Sequence, residues 1–397
     1  MNPEEIRIAD FQYPLPEDRI AKYPLEKRDE SKLLVFDHGN IVHKRFPAIV
    51  EEIPEGTLLL FNNTRVIHAR LKFYKETGAR IEIFCLEPHG EDPVTAMAQV
   101  GSCSWNCLVG NAKKWKSGTL ELKLPSGMVL RATCEDRSPG NFLIRFDWDG
   151  DVLFSEILEE AGEIPLPPYL NRKAESEDKD RYQTVYSKIE GSVAAPTAGL
   201  HFTPSILEQL GKKGVEIGEL TLHVSAGTFQ PVKADQIGDH PMHYEYFTVQ
   251  EEFIQKLIRA VENGRPIIAV GTTSLRALES LFWLGAKGGD FSQVDQWDPY
   301  RFATENTPLD SLIALSDYMA ESGSITAQTG IMIAPGYTFQ LAQAIVTNFH
   351  MPQSTLLLLI SAMVGGQWRK IYEEALAHDY RFLSYGDSSL LWHSPPH

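Results

Sequence analysis

The sequence predicts an α/β protein that carries a small inserted all-β domain, a barrel or a sandwich. Three observations predict it. From about residue 151 onward, strand-like and helix-like segments alternate, the pattern of a layered α/β domain. Between about 70 and 150, short segments alternate apolar and polar residues with period two. A continuous apolar run, 58–61, stands just before that stretch, so the β-rich part reads as an insertion after the first strand of the larger domain.

The elements follow in order. Ile81, Ile83 and Cys85 alternate with Arg80, Glu82 and Phe84. Leu120, Leu122 and Leu124 alternate with Glu121 and Lys123, and Phe142, Ile144 and Phe146 with Leu143, Arg145 and Asp147. Ser126-Gly127 and Pro139-Gly140 supply turn signals between runs. Asp151 is a candidate N-cap for a helix carrying Val152, Leu153, Ile157 and Leu158, stopped by Gly162. Residues 171–190 hold five basic and five acidic side chains and few apolar ones, and read as an exposed loop. Thr203-Pro204 opens a helix with Ile206, Leu207 and Leu210. Leu220, Leu222 and Val224 form one strand face, with Thr221, His223 and Ser225 on the other. A helix over 250–263 ends at Gly264 and Pro266. A buried strand over 267–270 then leads into a helix with Leu275, Leu278, Phe282 and Gly285. Residues 286–327 set Lys287 and Arg301 against seven acids and read as an acidic surface elaboration with one helix, 309–319.

Composition excludes several classes. A chain of 397 residues, 43% apolar and 23% charged, buries a large core without staples. Its longest apolar run, 356–364, is too short to span a bilayer, so no membrane association is expected. The first residues show no basic or hydrophobic signal segment, and four cysteines make no disulfide framework. Cytoplasmic location is expected. Thirty-seven basic against 53 acidic residues give a net charge of −16, which argues against non-specific coating of nucleic acid. A local basic patch remains: Lys113, Lys114, Lys116 and Lys123 against Glu121 alone within 103–124.

Two strand-to-helix junctions carry polar residues. At Val270-Gly271-Thr272-Thr273-Ser274, free backbone N–H groups and hydroxyls suit an anion or a carboxylate, with Arg276 in the first turn; plain capping by Thr273 or Ser274 fits equally. At Thr347-Asn348-Phe349-His350-Met351-Pro352, Ser354 is a candidate N-cap. His350 is then a candidate acid/base at a strand end, where open α/β sheets bind ligands, or a structural histidine. His240-Pro241-Met242-His243-Tyr244-Glu245 gathers ligand-type side chains, but Pro241 makes it a loop; a supporting or substrate role is preferred to a metal. Cys103 and Cys107 lack a second pair, so no zinc site is expected, and Trp105 points to packing. No P-loop, GxGxxG, GxSxG or HExxH sequence is present.

Longer words in the sequence are more specific. They are Asn62-Asn63-Thr64-Arg65-Val66 with Ala69-Arg70, the run from Gly191 through Pro196-Thr197-Ala198-Gly199-Leu200-His201 to Thr203, and Leu222-His223-Val224-Ser225-Ala226-Gly227-Thr228-Phe229-Gln230-Pro231-Val232. The two junctions and Tyr380-Arg381-Phe382-Leu383-Ser384-Tyr385-Gly386-Asp387 join them, as do Asp10-Phe11, Tyr23-Pro24 and Arg28 near the start. Together, in order over about 8–390, they resemble the S-adenosylmethionine:tRNA ribosyltransferase-isomerase family of queuosine biosynthesis. Departures from the family's usual words stand at Thr77-Gly78-Ala79-Arg80, Gly110-Asn111-Ala112-Lys113 and Ala334-Pro335-Gly336-Tyr337.

The resemblance implies a large layered α/β domain, expected at 1–66 and 151–397, and a small inserted β-barrel domain, expected at 67–150. It implies that ribose from S-adenosylmethionine is transferred to 7-aminomethyl-7-deazaguanine at the tRNA wobble position and rearranged to epoxyqueuosine, while adenine and methionine leave. S-adenosylmethionine is then a co-substrate, and no metal or other cofactor is implied. A sulfonium acidifies its neighbouring C–H bonds, so the expected first step is removal of a ribose 5′ proton by a base. A pKa near working pH favours histidine. His201, His223 and His350 are the candidates. Arg276 and Asp387, with Arg65, are candidates for orienting groups or stabilising charge. Thr272, Thr273 and Ser274 are candidates to hold the methionine carboxylate or ribose hydroxyls, and Phe229, Phe349 and Tyr385 to stack a base. Asn63, Arg70, Thr197, Thr228 and Asn348 complete the expected substrate contacts. Lys113, Lys114 and Lys116, with Lys72 and Lys75, are the expected tRNA-binding patch, and a monomer is expected. Two alternatives stand beside this reading: a transferase acting on a free nucleoside, and a catalytically silent tRNA-binding paralogue.

Overall fold

The computed structural model describes residues 2–138, 141–225, 232 and 234–394. The Pro139-Gly140 turn signal and the candidates Thr228 and Phe229 lie outside the described residues.

The centre of the molecule is a ten-stranded sheet in the order Gln293–Val294, Ser324–Thr329, Glu245–Gln250, Glu216–Leu222, Leu58–Asn62, Ile267–Val270, Ala344–Asn348, Ser388–Trp392, Lys32–Asp37, Asn40–Arg45. The strands from Glu216–Leu222 to Ala344–Asn348 run parallel. Both flanks of that parallel block turn antiparallel, at Glu245–Gln250 and at Ser388–Trp392. Strands buried on both faces have no reason to alternate, and Leu58-Leu59-Leu60-Phe61 and Ile267-Ile268-Ala269-Val270 are apolar and buried throughout. Helices cover the sheet on two sides and form two apolar cores. One gathers Leu58, Leu60, Leu220, Phe253, Leu278 and Leu358. The other gathers Leu59, Phe61, Phe202, Ile206, Ile268 and Val346.

The β-rich stretch forms a separate antiparallel sheet in the order Arg70–Tyr74, Arg80–Pro88, Ser102–Gly110, Asn141–Asp147, Val129–Ser138, Leu120–Lys123. Its first and last strands face each other, so the sheet curls into a nearly closed barrel. The barrel is filled by Phe73, Trp105, Trp115, Leu130 and Phe146, and Cys107 is buried in the same core. The helix Phe154–Ala161 packs on this core: Phe154 lies 5.5 Å from the Trp148 ring and 5.6 Å from that of Trp105.

Three local expectations are corrected. The helix after the barrel starts at Phe154, because Leu153 holds the N-cap position and the Glu156 carboxylate accepts its N–H at 2.8 Å; Asp151 plays no part in the cap. Residues 171–190 are not an exposed loop throughout. Arg172 forms a two-pronged ion pair with buried Asp178, and Tyr182 and Thr184 are buried behind it. Residues 286–327 contribute two strands to the sheet edge, Gln293–Val294 and Ser324–Thr329, besides the helix Pro308–Met319. That helix packs tightly on Thr272–Lys287, where a Cβ on Gly285 would meet the Ser311 carbonyl oxygen at 2.0 Å. The strand expected over 220–225 runs instead over Glu216–Leu222, and Leu58–Asn62 follows two earlier strands of the same sheet, Lys32–Asp37 and Asn40–Arg45. Pro204–Lys212 capped by Thr203, Glu251–Glu262 and Ile267–Val270 stand where expected. Among the described residues, no helix is long and apolar enough to cross a membrane.

Candidate active site

The parallel strands Ile267–Val270 and Ala344–Asn348 are neighbours, so their carboxyl ends deliver both polar junctions to one crevice. There Gly271 takes φ +92°, a conformation glycine reaches without strain, and turns the chain into the helix Thr272–Lys287. No side chain caps this helix. Ser274 Oγ turns back onto the Val270 carbonyl at 2.7 Å, and Thr273 Oγ1 is buried without a partner among the described residues. Among the described residues, the first-turn amides of this helix therefore have no side-chain cap.

The crevice deepens into a cavity of about 290 Å³. Thr197, Gly271, Thr272 and Thr273 line one part of it, Asn348, Phe349, His350 and Met351 another. Tyr169, Leu383 and Ser384 close it, with Tyr169 Oη 2.6 Å from Ser384 Oγ. Tyr169 and Ser384 were not singled out by sequence reasoning. The Pro167-Pro168-Tyr169 step ahead of the charged stretch was the available signal.

The three candidate histidines stand in different situations. His201 Nδ1 lies 2.9 Å from Ser31 Oγ and its Nε2 3.3 Å from Asn348 Oδ1. Asn348 in turn donates to the carbonyls of Leu383 and Ser384. Burial lowers the His201 pKa to about 4, against the opposing pull of Asp387. His223 lies outside the cavity lining, buried with its ring against the Gly191 backbone. Burial lowers its pKa to about 4, with Asp92 pulling the other way. His350 lines the cavity. Its Nε2 lies 3.0 Å from Thr347 Oγ1, and its backbone is held by Tyr13 Oη and Tyr372 Oη. No hydrogen bond among the described residues engages its Nδ1. Burial lowers its pKa to about 3, so the ring is neutral at working pH and, before substrate binds, a weaker base than an ordinary imidazole.

Several candidates are tied into the scaffold. Arg276 is ion-paired with buried Glu245 and donates to Ile331 and Thr329 carbonyls. Burial raises the Glu245 pKa, but Arg276, then His243 and the Ser225 amide, bring it down to about 2. Asp387 accepts from the amides of Lys32 and Arg381 and knots the last motif to the first strand. The Phe349 ring packs among Tyr372, Tyr380 and Phe382. Tyr385 Oη donates to Asp178 at 2.8 Å. Asn63 is engaged with Glu219 and Thr221 away from the cavity, and Arg65 is exposed near Glu190.

A second cleft, of about 450 Å³, runs between the first barrel strands and the segment 163–174 and is lined by Arg70, Lys72, Arg80, Arg172 and Lys173 together with Glu82 and Glu163. Pro168 borders both this cleft and the cavity. Arg70 pairs with Glu82 and Lys72 with Glu163, each at 2.5 Å. Asn111 donates to the Arg80 carbonyl and Lys75 to that of Lys114. The exposed Lys113, Lys114 and Lys116 therefore continue from the cleft's rim. Away from both, His43, Glu374 and His378 bring one ligand-type atom each within 4.8 Å of the others. There His43 Nδ1 is held by Tyr380 Oη and His378 Nδ1 by the Glu374 carbonyl.

The fold and site thus define an α/β protein with a cavity at its parallel strand ends and, sharing Pro168 with it, a cleft rich in basic side chains. The chain belongs to the queuosine biosynthesis protein family, which it matches over residues 8–391. It is 40% identical over 390 residues to the S-adenosylmethionine:tRNA ribosyltransferase-isomerase of Desulfitobacterium hafniense, covering 97% of this chain and all of that relative. It is 41% identical over 389 residues to the enzyme of the same name from Aromatoleum aromaticum, covering 98% of each. A crystal structure of S-adenosylmethionine tRNA ribosyltransferase from Thermotoga maritima is similar at 28% identity and a TM-score of 0.47, over 96% of this chain and 99% of that one.

Proposed function

We propose that this chain transfers and isomerises the ribosyl moiety of S-adenosylmethionine onto 7-aminomethyl-7-deazaguanine at the tRNA wobble position, giving epoxyqueuosine-tRNA, adenine and methionine. The observation that carries it is convergence. Segments 194–198, 271–273, 347–351 and 383–384, each from a different family word, line one cavity of a size suited to a nucleoside.

In this reading His350 is the base. With Nε2–H donating to Thr347 Oγ1, Nδ1 carries the lone pair that takes the ribose 5′ proton made acidic by the sulfonium. Adenine departs from the activated sugar, aided by protonation. The aminomethyl nitrogen attacks the electrophile so formed, and ring closure to the epoxide expels methionine. The uncapped amides of Thr272 and Thr273, with Thr197, bind ribose hydroxyls. His201 and Asn348 act as positioning residues that hold the wall formed by Leu383 and Ser384. S-adenosylmethionine is consumed, and this scheme uses no further cofactor. The tRNA lies along the cation-lined cleft, with Lys75, Lys113, Lys114 and Lys116 on its phosphates and Lys72 and Arg70 nearer the cavity. That path answers the overall charge of −16 with a local positive surface.

The test is to incubate the protein with S-adenosylmethionine and tRNA carrying 7-aminomethyl-7-deazaguanine, digest the tRNA and weigh its nucleosides. An epoxyqueuosine mass with released adenine is expected. Folded, tRNA-binding protein that forms no product would instead support the silent paralogue, and product from the free nucleoside alone would support the other alternative.

A further inference from the structure

A small pocket of about 20 Å³ adjoins the cavity, and Ser384 borders both. Three guanidinium groups line it: Arg28, Arg181 and Arg381, together with Ser31 and His201. Their charges are poorly balanced. Arg381 has Asp387 at 3.4 Å. Arg28 donates to the Gln183 and Asp180 carbonyls at 2.5 and 2.7 Å, and Arg181 donates to those of Leu25 and Glu26. Among the described residues, neither Arg28 nor Arg181 forms an ion pair with a carboxylate. The Asp180 side chain acts on Arg28 only through its more distant charge. Arg181 Nε is buried without a hydrogen-bond partner among the described residues. The neighbouring carboxylate Asp178 is committed to Arg172 and Tyr385.

Half-buried guanidinium groups crowded together repel one another, and such an arrangement is stabilised by an anion that accepts from several of them. The pocket has room for one small group. We infer that Arg28, Arg181 and Arg381 form an oxyanion subsite that takes the carboxylate of the amino-acid part of S-adenosylmethionine. The ribose and adenine then lie in the adjoining cavity. This assignment rests on the proposed function and moves the carboxylate away from the helix start at Thr272. It also gives His201 its place: neutral between the anion pocket and Asn348, it separates two polar compartments without adding charge.

Calorimetric titration of the intact protein tests it with three ligands: S-adenosylmethionine, its decarboxylated analogue and 5′-methylthioadenosine, which lacks the amino-acid part. The wild-type protein is expected to prefer S-adenosylmethionine over the decarboxylated compound by about 10- to 100-fold, the usual scale of charge-assisted hydrogen bonds. In Arg181→Met and Arg28→Met that preference collapses to within a few-fold, while affinity for 5′-methylthioadenosine is unchanged, which also certifies the fold. Arg28→Lys restores part of the preference. A preference that survives both methionine variants overturns the subsite. So does loss of tRNA affinity with the preference intact, which would assign the pocket to a phosphate. No discrimination by the wild-type protein also overturns the subsite and leaves the proposed function standing, whereas no binding of S-adenosylmethionine at all overturns both.

Discussion

An imidazole with both nitrogens hydrogen-bonded holds its neighbours in place and has no lone pair left for a substrate. His201, between Ser31 and Asn348, is in that state, whereas His350 has one nitrogen engaged and lines the cavity. His350→Gln is therefore expected to lower kcat by about 100-fold or more, with the Kd for S-adenosylmethionine within a few-fold of wild type. Equal kcat in rapid-quench turnover would contradict the assignment. The acid limb of the kcat/KM profile provides a second check. Burial holds the His350 pKa at about 3, so the base stays unprotonated as pH falls through the ordinary histidine value. No loss of activity assignable to this group is expected near pH 6.5, and a limb there that disappears in His350→Gln would keep His350 as the base but contradict the lowered pKa. The sequence named all three histidines but not their order. Spacing places residues at a strand end without revealing which ring nitrogens neighbours occupy. Ser31, more than 150 residues from His201, could not be paired with it from one sequence.

At the scale of elements, period and caps located the regular pieces well. Thr203-Pro204 and the run 267–270 carry local instructions that burial reinforces. The stretches 171–190 and 286–327 misled because their charges are paired or serve sheet edges. Arg172–Asp178 and Lys287–Asp298 are contacts that composition alone reads as solvated charge. Helix packing gives a sharp expectation. Gly285→Ala drives a methyl into the Ser311 carbonyl and should destabilise the protein by about 1–3 kcal/mol, as overpacking usually does. An unchanged denaturant midpoint would show that the two helices have room to separate. The lysine turn carries its own prediction. Lys113→Glu, Lys114→Glu and Lys116→Glu together should weaken tRNA binding by at least about tenfold and flatten its dependence on salt. S-adenosylmethionine affinity should be unaffected. Filter binding across a salt series measures both, and unchanged affinity at physiological salt would remove these lysines from the interface.

For the whole molecule, a parallel sheet and a curled barrel are joined so that the cleft beside the barrel and the cavity at the strand ends share Pro168 as a wall. The class of both parts was legible from periods of two and from strand–helix alternation. The ten-strand order was not, because its outer strands 32–37 and 40–45 join across the chain from 388–392. Burying three neutral histidines has a global consequence. His201, His223 and His350 have folded-state pKa values of about 4, 4 and 3, below the unfolded value near 6.5. Their burial costs nothing above pH 6.5. Between pH 6.5 and about 4 the unfolded chain binds protons that the native state does not, so stability falls as pH falls, by up to about 1.4 kcal/mol per pH unit for each ring. Denaturant midpoints should drop across that window and drop less in His223→Gln; a flat profile would contradict it. In the proposed reaction, chemistry begins with proton removal by His350. The most direct measurement uses S-adenosylmethionine deuterated at the ribose 5′ carbon, mixed with substrate tRNA and either wild-type or His350→Gln protein. Epoxyqueuosine lacking one deuterium is expected from the wild type, and neither adenine release nor deuterium loss from the variant. Adenine release by the variant at the wild-type rate, with the same deuterium loss, would contradict it.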